Sequence, residues 1–494
     1  MAKARSTVTA TFTFASIGVL ASAGLLPMLN KSLWVDEGAS LYSAHLSWRA
    51  LGQQSKVVDR VFVAYYAVLH LWTGISANIE WVRLPSLIAF GFTVVIVGRL
   101  GNRLGGFSCG VIAAILTASN PLMIEAALDA RPYALSALAA TIAINALFRW
   151  CESSEDYWIW WFCIAWVVAL VLQFFAILAP LAVLVTLFAL RPMAFRRNWR
   201  RIVAPLSVTL VATASFALLV LGQRGQVAWI PPMSVGKLFL DAFGPASGYP
   251  RDGKLRYAIL IVVLVAFGLV LAGKWWRRKS ERVARSTSEY FVVALAWAAL
   301  PTLGLIAVSY VQPFYVDRYV TASAPGMALA IGLLLAQALK LNVANSSTRP
   351  RRGARIAVAL IAVALIANAF TVSSAVFENV RGVAQYLDRH VGANDEVALP
   401  SHELGASVEY YLLSNRKHLN TWPVTSTQFI GALDLRENDE SFDSAPRNVW
   451  LVEDGTVGTK VFNDDLTRHG YVQMGKRLFV NLLRVTIVHY QRSG

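Results

Sequence analysis

The first residues whose types suggest chemistry are two adjacent carboxylates, Asp36 and Glu37, in the stretch LWVDEGAS. They follow directly on the first long apolar run, residues 8–29, which is long enough to cross a membrane. A loop end in bulk water is one interpretation. The other is a functional site, because ionisable groups at membrane depth usually line a water-filled cavity or pair with each other.

Two pairs of an acidic and a basic residue lie at the ends of other apolar runs. Asp129 and Arg131 occur in EAALDARPYAL, and Asp317 and Arg318 occur in FYVDRYVTASAP. Either pair, taken alone, is equally well explained as a local ion pair that neutralises itself. Three such groups on one face of a membrane favour a shared polar site.

The elements that must position these residues are membrane helices. The 494-residue chain is 56% hydrophobic and 15% charged, which indicates a polytopic α-helical membrane protein. Apolar runs predict eleven spans, at residues 8–29, 81–98, 106–124, 133–149, 157–172, 174–190, 202–221, 257–273, 290–309, 319–339 and 355–375. A cleaved signal peptide is the alternative for the first run, but its continuation to Leu29 favours a span.

The distribution of basic residues predicts the orientation. With a cytoplasmic amino terminus, clusters such as RPMAFRRNWRR and KWWRRKSERVAR lie in the cytoplasm, as the positive-inside rule requires. The net charge of +16 is then explained by orientation, and we expect no nucleic-acid partner. Residues 61–73 are apolar but too short to cross, so we expect them to form an interfacial helix within a long external loop, residues 30–80.

The tail differs from the rest in composition. Residues 376–494 carry a net charge of −3 and alternate amphipathic segments with short apolar ones. We therefore expect a membrane domain, residues 1–375, and a soluble α/β domain, residues 376–494, on the extracytoplasmic side. All three cysteines precede the tail, and neither a disulfide framework nor a thiol–metal site is indicated.

The order of the charged stretches carries a resemblance to a known family. The sequence resembles the GT-C superfamily of integral-membrane glycosyltransferases. The resemblance rests on five stretches in this order: LWVDEGAS, DR before the interfacial segment, WVRLPSL, ALDARPYAL and FYVDRYVTASAP. Within this superfamily the sequence is similar to glycosyltransferase family 39 and its bacterial relatives, which include protein O-mannosyltransferases and the enzyme that transfers aminoarabinose to lipid A. The resemblance covers the membrane part, and the tail fits only in position. It implies a GT-C fold, catalysis within the membrane domain and a polyprenyl-phosphate sugar as donor.

The resemblance assigns roles to individual residues. Asp36 matches the family's essential loop aspartate, Glu37 its acidic neighbour and Asp129 a second acidic position that enters a span. Tyr319 matches a tyrosine near the donor phosphate, with Arg318 beside it.

The sequence departs from the family pattern at two places. Asp59 and Arg60 fall where many relatives have an acidic–basic pair followed by proline, but Val61 and Phe62 follow here. This weakens the case for Arg60 as a phosphate ligand. Gln173, followed by two phenylalanines, stands where many relatives show a histidine.

The implied reaction explains why these residue types are needed. An acceptor hydroxyl must become more nucleophilic, and the charge of the leaving phosphate must be stabilised. We expect Asp36 to act as general base, with Glu37 and Asp129 orienting the acceptor or shaping the field of the site. The remaining candidates are Arg318, Tyr319, Arg60 and Arg131 for the donor phosphate, and Asp59 and Tyr133 for the substrate. One displacement would invert the anomeric configuration.

The expected partners follow from the same resemblance. They are a polyprenyl-phosphate-linked sugar, a cell-envelope acceptor (glycan, glycolipid or protein) and the bilayer of the cytoplasmic membrane. We expect no cofactor; a divalent ion bridging Asp36 and Asp129 is the alternative. The loop at residues 222–251, rich in Gly, Pro and aromatics, either caps the donor or forms an interfacial aromatic belt.

Two other classes of protein remain as alternatives. A transporter or flippase of lipid-linked sugars would also place charges in a cavity, but on both faces or at the midplane and often with inverted repeats. The sequence has no internal repeat, and its carboxylates fall on one face. A non-catalytic scaffold whose tail is the working part is the second alternative. No motif specifies the sugar or the acceptor.

Overall fold

The fold is mainly helical, with one β-sheet near the carboxyl end. The computed structural model describes residues 2–153, 155–227, 230, 232, 281–344, 379–392, 395–399, 402–414, 420–421, 446–453, 463–464, 466–480 and 484–493. Two expected spans, residues 257–273 and 355–375, and most of the loop at 222–251 lie outside the described residues.

The helices follow one another closely along the chain. They are α1 (Ala2–Leu25), α2 (Val35–His45), α3 (Trp48–Val57), α4 (Val63–Thr73), α5 (Ile79–Gly105), α6 (Phe107–Ala118), α7 (Pro121–Ala127), α8 (Tyr133–Ser153), α9 (Asp156–Leu172), α10 (Leu178–Leu190), α11 (Pro192–Arg197), α12 (Trp199–Leu221), α13 (Glu281–Ser309), α14 (Ala324–Ala344), α15 (Val380–His390) and α16 (His402–Ser414). Short 3-10 helices occupy Leu26–Asn30, Arg60–Phe62, Phe174–Ile177, Arg224–Val227 and Asp317–Ser323.

The chain folds into two compact units. The first unit comprises Met1–Leu29, Val61–Tyr65 and Arg83–Ala375. The second comprises Asn30–Arg60, Tyr66–Val82 and Val376–Gly494, so most of the first loop groups with the tail.

The first unit contains the apolar helices of a multi-pass membrane protein. Among the described residues, six helices are long and apolar enough to cross a membrane, and a bent pair makes a seventh. The six are Val8–Asn30, Ile79–Gly105, Tyr133–Ser153, Trp199–Leu221, Ser288–Ser309 and Asp317–Gln337. Two shorter apolar helices, Asp156–Leu172 and Phe174–Leu190, coincide with two further expected spans.

The bent pair replaces the straight span expected at residues 106–124. α6 and α7 meet at an angle of 60°. The sequence explains the break, because a residue that precedes proline is disfavoured in helical conformation. Asn120 instead has extended backbone angles, and its side chain accepts a hydrogen bond from the Met123 N–H at 3.1 Å, with Pro121 at the first helical position.

Small residues let the helices of the first unit approach closely. A Cβ atom added at Gly110 in α6 would lie 2.5 Å from the Gly98 carbonyl oxygen and 2.6 Å from the Phe14 ring. One added at Gly98 in α5 would meet the same ring at 2.8 Å. α1, α5 and α6 therefore pack through glycine, as is common for helices in membranes.

The second unit contains a five-stranded mixed sheet. Its strands are β1 (Glu396–Ala398), β2 (Asn420–Thr421), β3 (Asn448–Glu453), β4 (Tyr471–Val480) and β5 (Arg484–Arg492). Their order is β2-β1-β3-β5-β4; β1 pairs parallel with β2 and β3, while β5 is antiparallel to β3 and β4. One face buries Val449, Leu451, Val488 and Tyr490.

Polar side chains fix the sheet's central strands. Asp395, just before β1, accepts hydrogen bonds from Asn448 at 2.7 Å and from the Trp450 indole at 3.0 Å. Burial would raise the pKa of Asp395, but these bonds, that of the Gly392 N–H and the nearby His489 together lower it below its ordinary value. The carboxylate therefore stays ionised and holds β3 beside β1.

The glycine packing yields a stability prediction. Gly110→Ala should lower the melting temperature of the detergent-solubilised protein, because overpacking of an interior typically costs ~1–3 kcal/mol. Gly304→Ala is the matched control: Gly304 lies in the exposed face of α13, and a Cβ atom there meets nothing within 4 Å. We expect it to be neutral or slightly stabilising. Equal melting temperatures for the two variants would show that the α5–α6 contact has room for a methyl group.

Candidate functional site

The two loop carboxylates lie in the first turn of α2. Trp34 precedes the helix with extended backbone angles, and its carbonyl accepts hydrogen bonds from the N–H groups of Glu37 at 3.0 Å and Gly38 at 3.1 Å. Asp36 and Glu37 are thus the second and third helical residues. Negative charge is favourable at this end of a helix, because unpaired N–H groups and the helix dipole face it.

The two carboxylates have different surroundings. Glu37 is fully buried, and its Oε2 accepts a long hydrogen bond, 3.4 Å, from the Trp34 N–H at the helix start. Asp36 is partly exposed, and its backbone carbonyl accepts from the Ser40 hydroxyl at 3.2 Å. Glu37 therefore closes the helix end, whereas Asp36 is partly exposed although its Oδ2 atom is buried.

α16 of the tail packs along α2 within the second unit. The Leu33 N–H donates to the Tyr411 hydroxyl at 2.8 Å, and the Ser407 hydroxyl donates to the Trp34 carbonyl at 3.2 Å. Burial raises the pKa of the Glu409 carboxyl, which also lies on α16. Burial also raises the pKa of Tyr42, with a further contribution from the charge of Glu409. The backbone that leads into α2 is therefore held by side chains from α16.

Asp59 and Arg60 hold their own loop. Asp59 adopts a left-handed backbone conformation, φ 54°, which Asp tolerates better than most residues, and its carboxylate accepts from the Tyr66 hydroxyl at 2.8 Å. The Arg60 Nε donates to the Ser55 carbonyl at 2.9 Å, and an Nη donates to the Lys56 carbonyl at 3.4 Å. The guanidinium thus binds the last carbonyls of α3, where a positive charge is favourable.

Asp129, Arg131 and Tyr133 lie at the junction of α7 and α8 in the first unit. All three side chains are buried. The Arg131 guanidinium carbon is 4.4 Å from the centre of the Phe62 ring, a cation–π contact. Phe62 stands where the resemblance led us to expect proline, and here its ring packs against an arginine.

Arg318 and Tyr319 lie in the 3-10 helix Asp317–Ser323, which joins α13 to α14. The Tyr319 ring stacks on Phe175 with 5.2 Å between ring centres. It also packs on the cluster of buried residues that contains Tyr133. Within the first unit, the two tyrosines named from the sequence therefore adjoin the same buried cluster.

Buried polar contacts fix this 3-10 helix. The Trp297 indole of α13 donates to the Ala322 carbonyl at 2.7 Å, and the Thr321 hydroxyl donates to the Arg318 carbonyl at 2.7 Å. Trp297 is fully buried. The backbone around Arg318 is therefore held from α13 while the Arg318 side chain remains partly exposed.

Several interactions were missed by reasoning from the sequence. Arg83, in the WVRLPSL stretch, is buried, and its guanidinium donates to the Leu29 carbonyl at 2.7 Å. An arginine inside an apolar helix was the signal available for it. Nothing local indicated the bonds from Tyr411 and Ser407, which lie more than 370 residues beyond the backbone groups they bind.

The candidate residues divide between the two units. Asp36, Glu37, Asp59 and Arg60 belong to the second unit, and Asp129, Arg131, Tyr133, Arg318 and Tyr319 to the first. The convergence of Asp36 with Asp129 and Arg318 in one cavity stays a prediction. In the described part of the chain, no three His, Cys, Asp or Glu side chains gather into a group that could hold a metal ion.

Comparison with known proteins gives structural matches. Neither a family model nor a curated protein sequence matches the chain. Among solved structures, the chain is similar to ArnT from Cupriavidus metallidurans in the apo state, with a TM-score of 0.59 and 13% identity over 97% of both chains. The same protein bound to undecaprenyl phosphate gives a TM-score of 0.58 and 12% identity, again over 97% of both chains.

An archaeal protein gives a further match. The oligosaccharyltransferase of Archaeoglobus fulgidus in the apo form has a TM-score of 0.50 and 12% identity, covering 89% of this chain and 69% of that one. At such identities the likeness concerns the fold. These proteins are GT-C glycosyltransferases, so the predicted GT-C fold is confirmed, with ArnT as a neighbour of matching length.

Proposed function

We propose that this GT-C chain is an inverting glycosyltransferase that moves a monosaccharide from a polyprenyl-phosphate donor to a hydroxyl of a cell-envelope acceptor. The observation that carries the proposal is the arrangement of the first turn of α2. There one carboxylate, Glu37, is buried and closes the helix end, while its neighbour Asp36 is partly exposed. The undecaprenyl phosphate bound to ArnT, which shares this fold over 97% of both chains, supports a polyprenyl-phosphate donor.

The proposed reaction is a single displacement. The Asp36 carboxylate accepts the proton of the acceptor hydroxyl as that oxygen attacks the anomeric carbon of the sugar. The bond between this carbon and the phosphate oxygen breaks, and its electron pair leaves with the polyprenyl phosphate. The anomeric configuration is inverted because attack and departure occur on opposite faces of the sugar.

The donor phosphate is assigned to the 3-10 helix that carries Arg318 and Tyr319. Arg318 is partly exposed in a 3-10 helix that Trp297 holds at the Ala322 carbonyl, and we assign its guanidinium to the phosphate oxygens. Arg131 is buried against Phe62 and is better suited to fixing the field of the site. Arg60, which binds carbonyls of α3, is the weakest candidate.

The other assignments belong to the same proposal. Asp129 shapes the field of the site, and Asp59 and Tyr133 contact the substrate. The reaction needs no metal ion or other cofactor.

The proposed topology places the site outside the cytoplasm. The chain crosses the cytoplasmic membrane eleven times with a cytoplasmic amino terminus, which places α2 and the tail on the extracytoplasmic face. The positive-inside distribution of Lys and Arg supports this orientation.

The first test concerns the base. Asp36→Asn keeps the size of the side chain but removes the proton acceptor, so turnover should fall by about 10²–10⁴-fold. Glu37→Gln should fall less, because the amide oxygen can still accept from the Trp34 N–H. Release of free polyprenyl phosphate would be measured with purified protein, polyprenyl-phosphate sugars (mannose, arabinose, glucose and galactose) and an envelope extract.

The matched control for Asp36 is Asp156→Asn, an exposed aspartate that pairs with Arg201 at 3.5 Å. We expect it to keep the wild-type rate. Asp36→Asn protein that folds and turns over normally would rule out the general-base role. Unchanged rates with a chelator present would separate the general base from the alternative of a bridging metal ion.

The second test concerns the donor. Arg318→Ala should weaken binding of the polyprenyl-phosphate sugar, because losing a charge-assisted hydrogen bond typically costs ~1.5–3 kcal/mol. This corresponds to roughly 10–150-fold in the dissociation constant. Arg201→Ala, which removes an exposed arginine, serves as the control. If both variants bind the donor as tightly as wild type, Arg318 does not contact the phosphate.

A further inference from the structure

The backbone before α2 is bonded to side chains of the tail at two successive residues. At Leu33 the N–H donates to the Tyr411 hydroxyl at 2.8 Å, and at Trp34 the carbonyl accepts from the Ser407 hydroxyl at 3.2 Å. Leu33 and Ser407 are fully buried, and Trp34 and Tyr411 nearly so. Water therefore cannot readily replace either bond.

Both bonds reach the point at which the helix begins. The Trp34 carbonyl that accepts from Ser407 also accepts from the N–H groups of Glu37 and Gly38. Asp36 lies two residues after this carbonyl and one residue before Glu37. Any displacement of the backbone at Leu33 and Trp34 consequently moves the Asp36 carboxylate.

The two hydroxyl groups on α16 are correctly spaced for this role. Ser407 and Tyr411 are four residues apart, which places them on the same face of the helix, one turn from each other. The buried residues Leu404, Val408 and Leu412 lie on the inner side of the same helix. Their apolar packing keeps α16 in place. The hydroxyl groups of Ser407 and Tyr411 then set the position of the backbone at Leu33 and Trp34.

Arg381 provides a second attachment from the tail. Its N–H, in the first turn of α15, donates to the Ser32 hydroxyl at 3.1 Å, and its guanidinium donates to the Asn30 carbonyl at 3.0 Å and side-chain oxygen at 2.6 Å. The guanidinium carbon lies 5.2 Å from the centre of the Tyr411 ring. Arg381 thus connects residues 30–32 with the tyrosine that binds Leu33.

We propose that the tail positions the general base: Tyr411 and Ser407 are positioning residues that set the location of the Asp36 carboxylate through the backbone of Leu33 and Trp34. This inference rests on the proposed function for its catalytic consequence. The tail then acts as a clamp on the catalytic loop, and it contributes to turnover although neither hydroxyl touches a substrate. Misplacing a catalytic group by about 1 Å can lower a rate by ~10²-fold, so the effect should be large.

The test uses the full-length protein in nanodiscs and the variant Tyr411→Phe, which removes only the hydroxyl. Tyr410→Phe is the matched control, since Tyr410 is the preceding residue of the same helix and its hydroxyl binds the Ala77 carbonyl at 3.1 Å instead. Two quantities would be measured: hydrogen exchange of peptides that cover residues 33–40, and kcat and KM for the polyprenyl-phosphate sugar.

For Tyr411→Phe we expect faster exchange at residues 33–40 and a kcat about 10–100-fold lower, with KM for the donor unchanged. Tyr410→Phe should leave exchange at residues 33–40 and kcat at wild-type values. Ser407→Ala should show the same faster exchange and lower kcat as Tyr411→Phe. Ser407→Thr, which keeps a hydroxyl, should have a kcat close to that of the wild type. A purely structural role in stability would lower the melting temperature without this selective loss of kcat.

The proposal is overturned if Tyr411→Phe exchanges at residues 33–40 as slowly as wild type. It is also overturned if exchange is faster but kcat is unchanged, because loosening the loop would then have no effect on the action of the base. Should the wild-type protein transfer no sugar, the proposed function fails, and hydrogen exchange alone decides whether the tail clamps the loop.

Discussion

The hydrogen bonds at Leu33 and Trp34 are the constraint that fixes where α2 begins and where its first turn lies. A helix start leaves N–H groups that need acceptors, and here the Trp34 carbonyl, the Glu37 carboxylate and two hydroxyl groups of α16 fix its geometry. Glu37 closes the helix end, and its neighbour Asp36 is partly exposed. The two carboxylates therefore differ: Glu37 maintains the turn, and Asp36 is the one that we propose as the base.

Candidate residues in the apolar unit lie where helices are interrupted. Asp129 and Arg131 follow the bent pair α6–α7, and Arg318 and Tyr319 occupy a 3-10 helix between two long helices. Charged groups and unpaired backbone groups are both costly in the middle of an apolar helix. At these interruptions, hydroxyl groups bind backbone carbonyls. Ser86 of α5 donates to the Arg131 carbonyl at 3.3 Å, and Thr321 donates to that of Arg318 at 2.7 Å.

The parts of the fold that the sequence predicted are those set by local pattern. Hydropathy located the helices from α5 to α10, and the family order of charged stretches identified the GT-C fold. The bend at Asn120 was missed because the apolar run continues through Pro121. The cation–π contact of Arg131 with Phe62 and the hydrogen bond between Leu33 and Tyr411 depend on tertiary packing. Such contacts join residues whose sequence neighbours give no sign of the partner.

We propose that Asp36 takes the proton of the acceptor hydroxyl while Arg318 holds the phosphate of the departing donor. An experimental structure of the protein with a phosphonate analogue of a polyprenyl-phosphate sugar would test this most directly. We expect the phosphonate within hydrogen-bond distance of the Arg318 guanidinium, with the Asp36 carboxylate across the sugar from it and open to the acceptor side. A phosphonate bound elsewhere, or an Asp36 carboxylate that faces bulk water far from the sugar, would contradict the account.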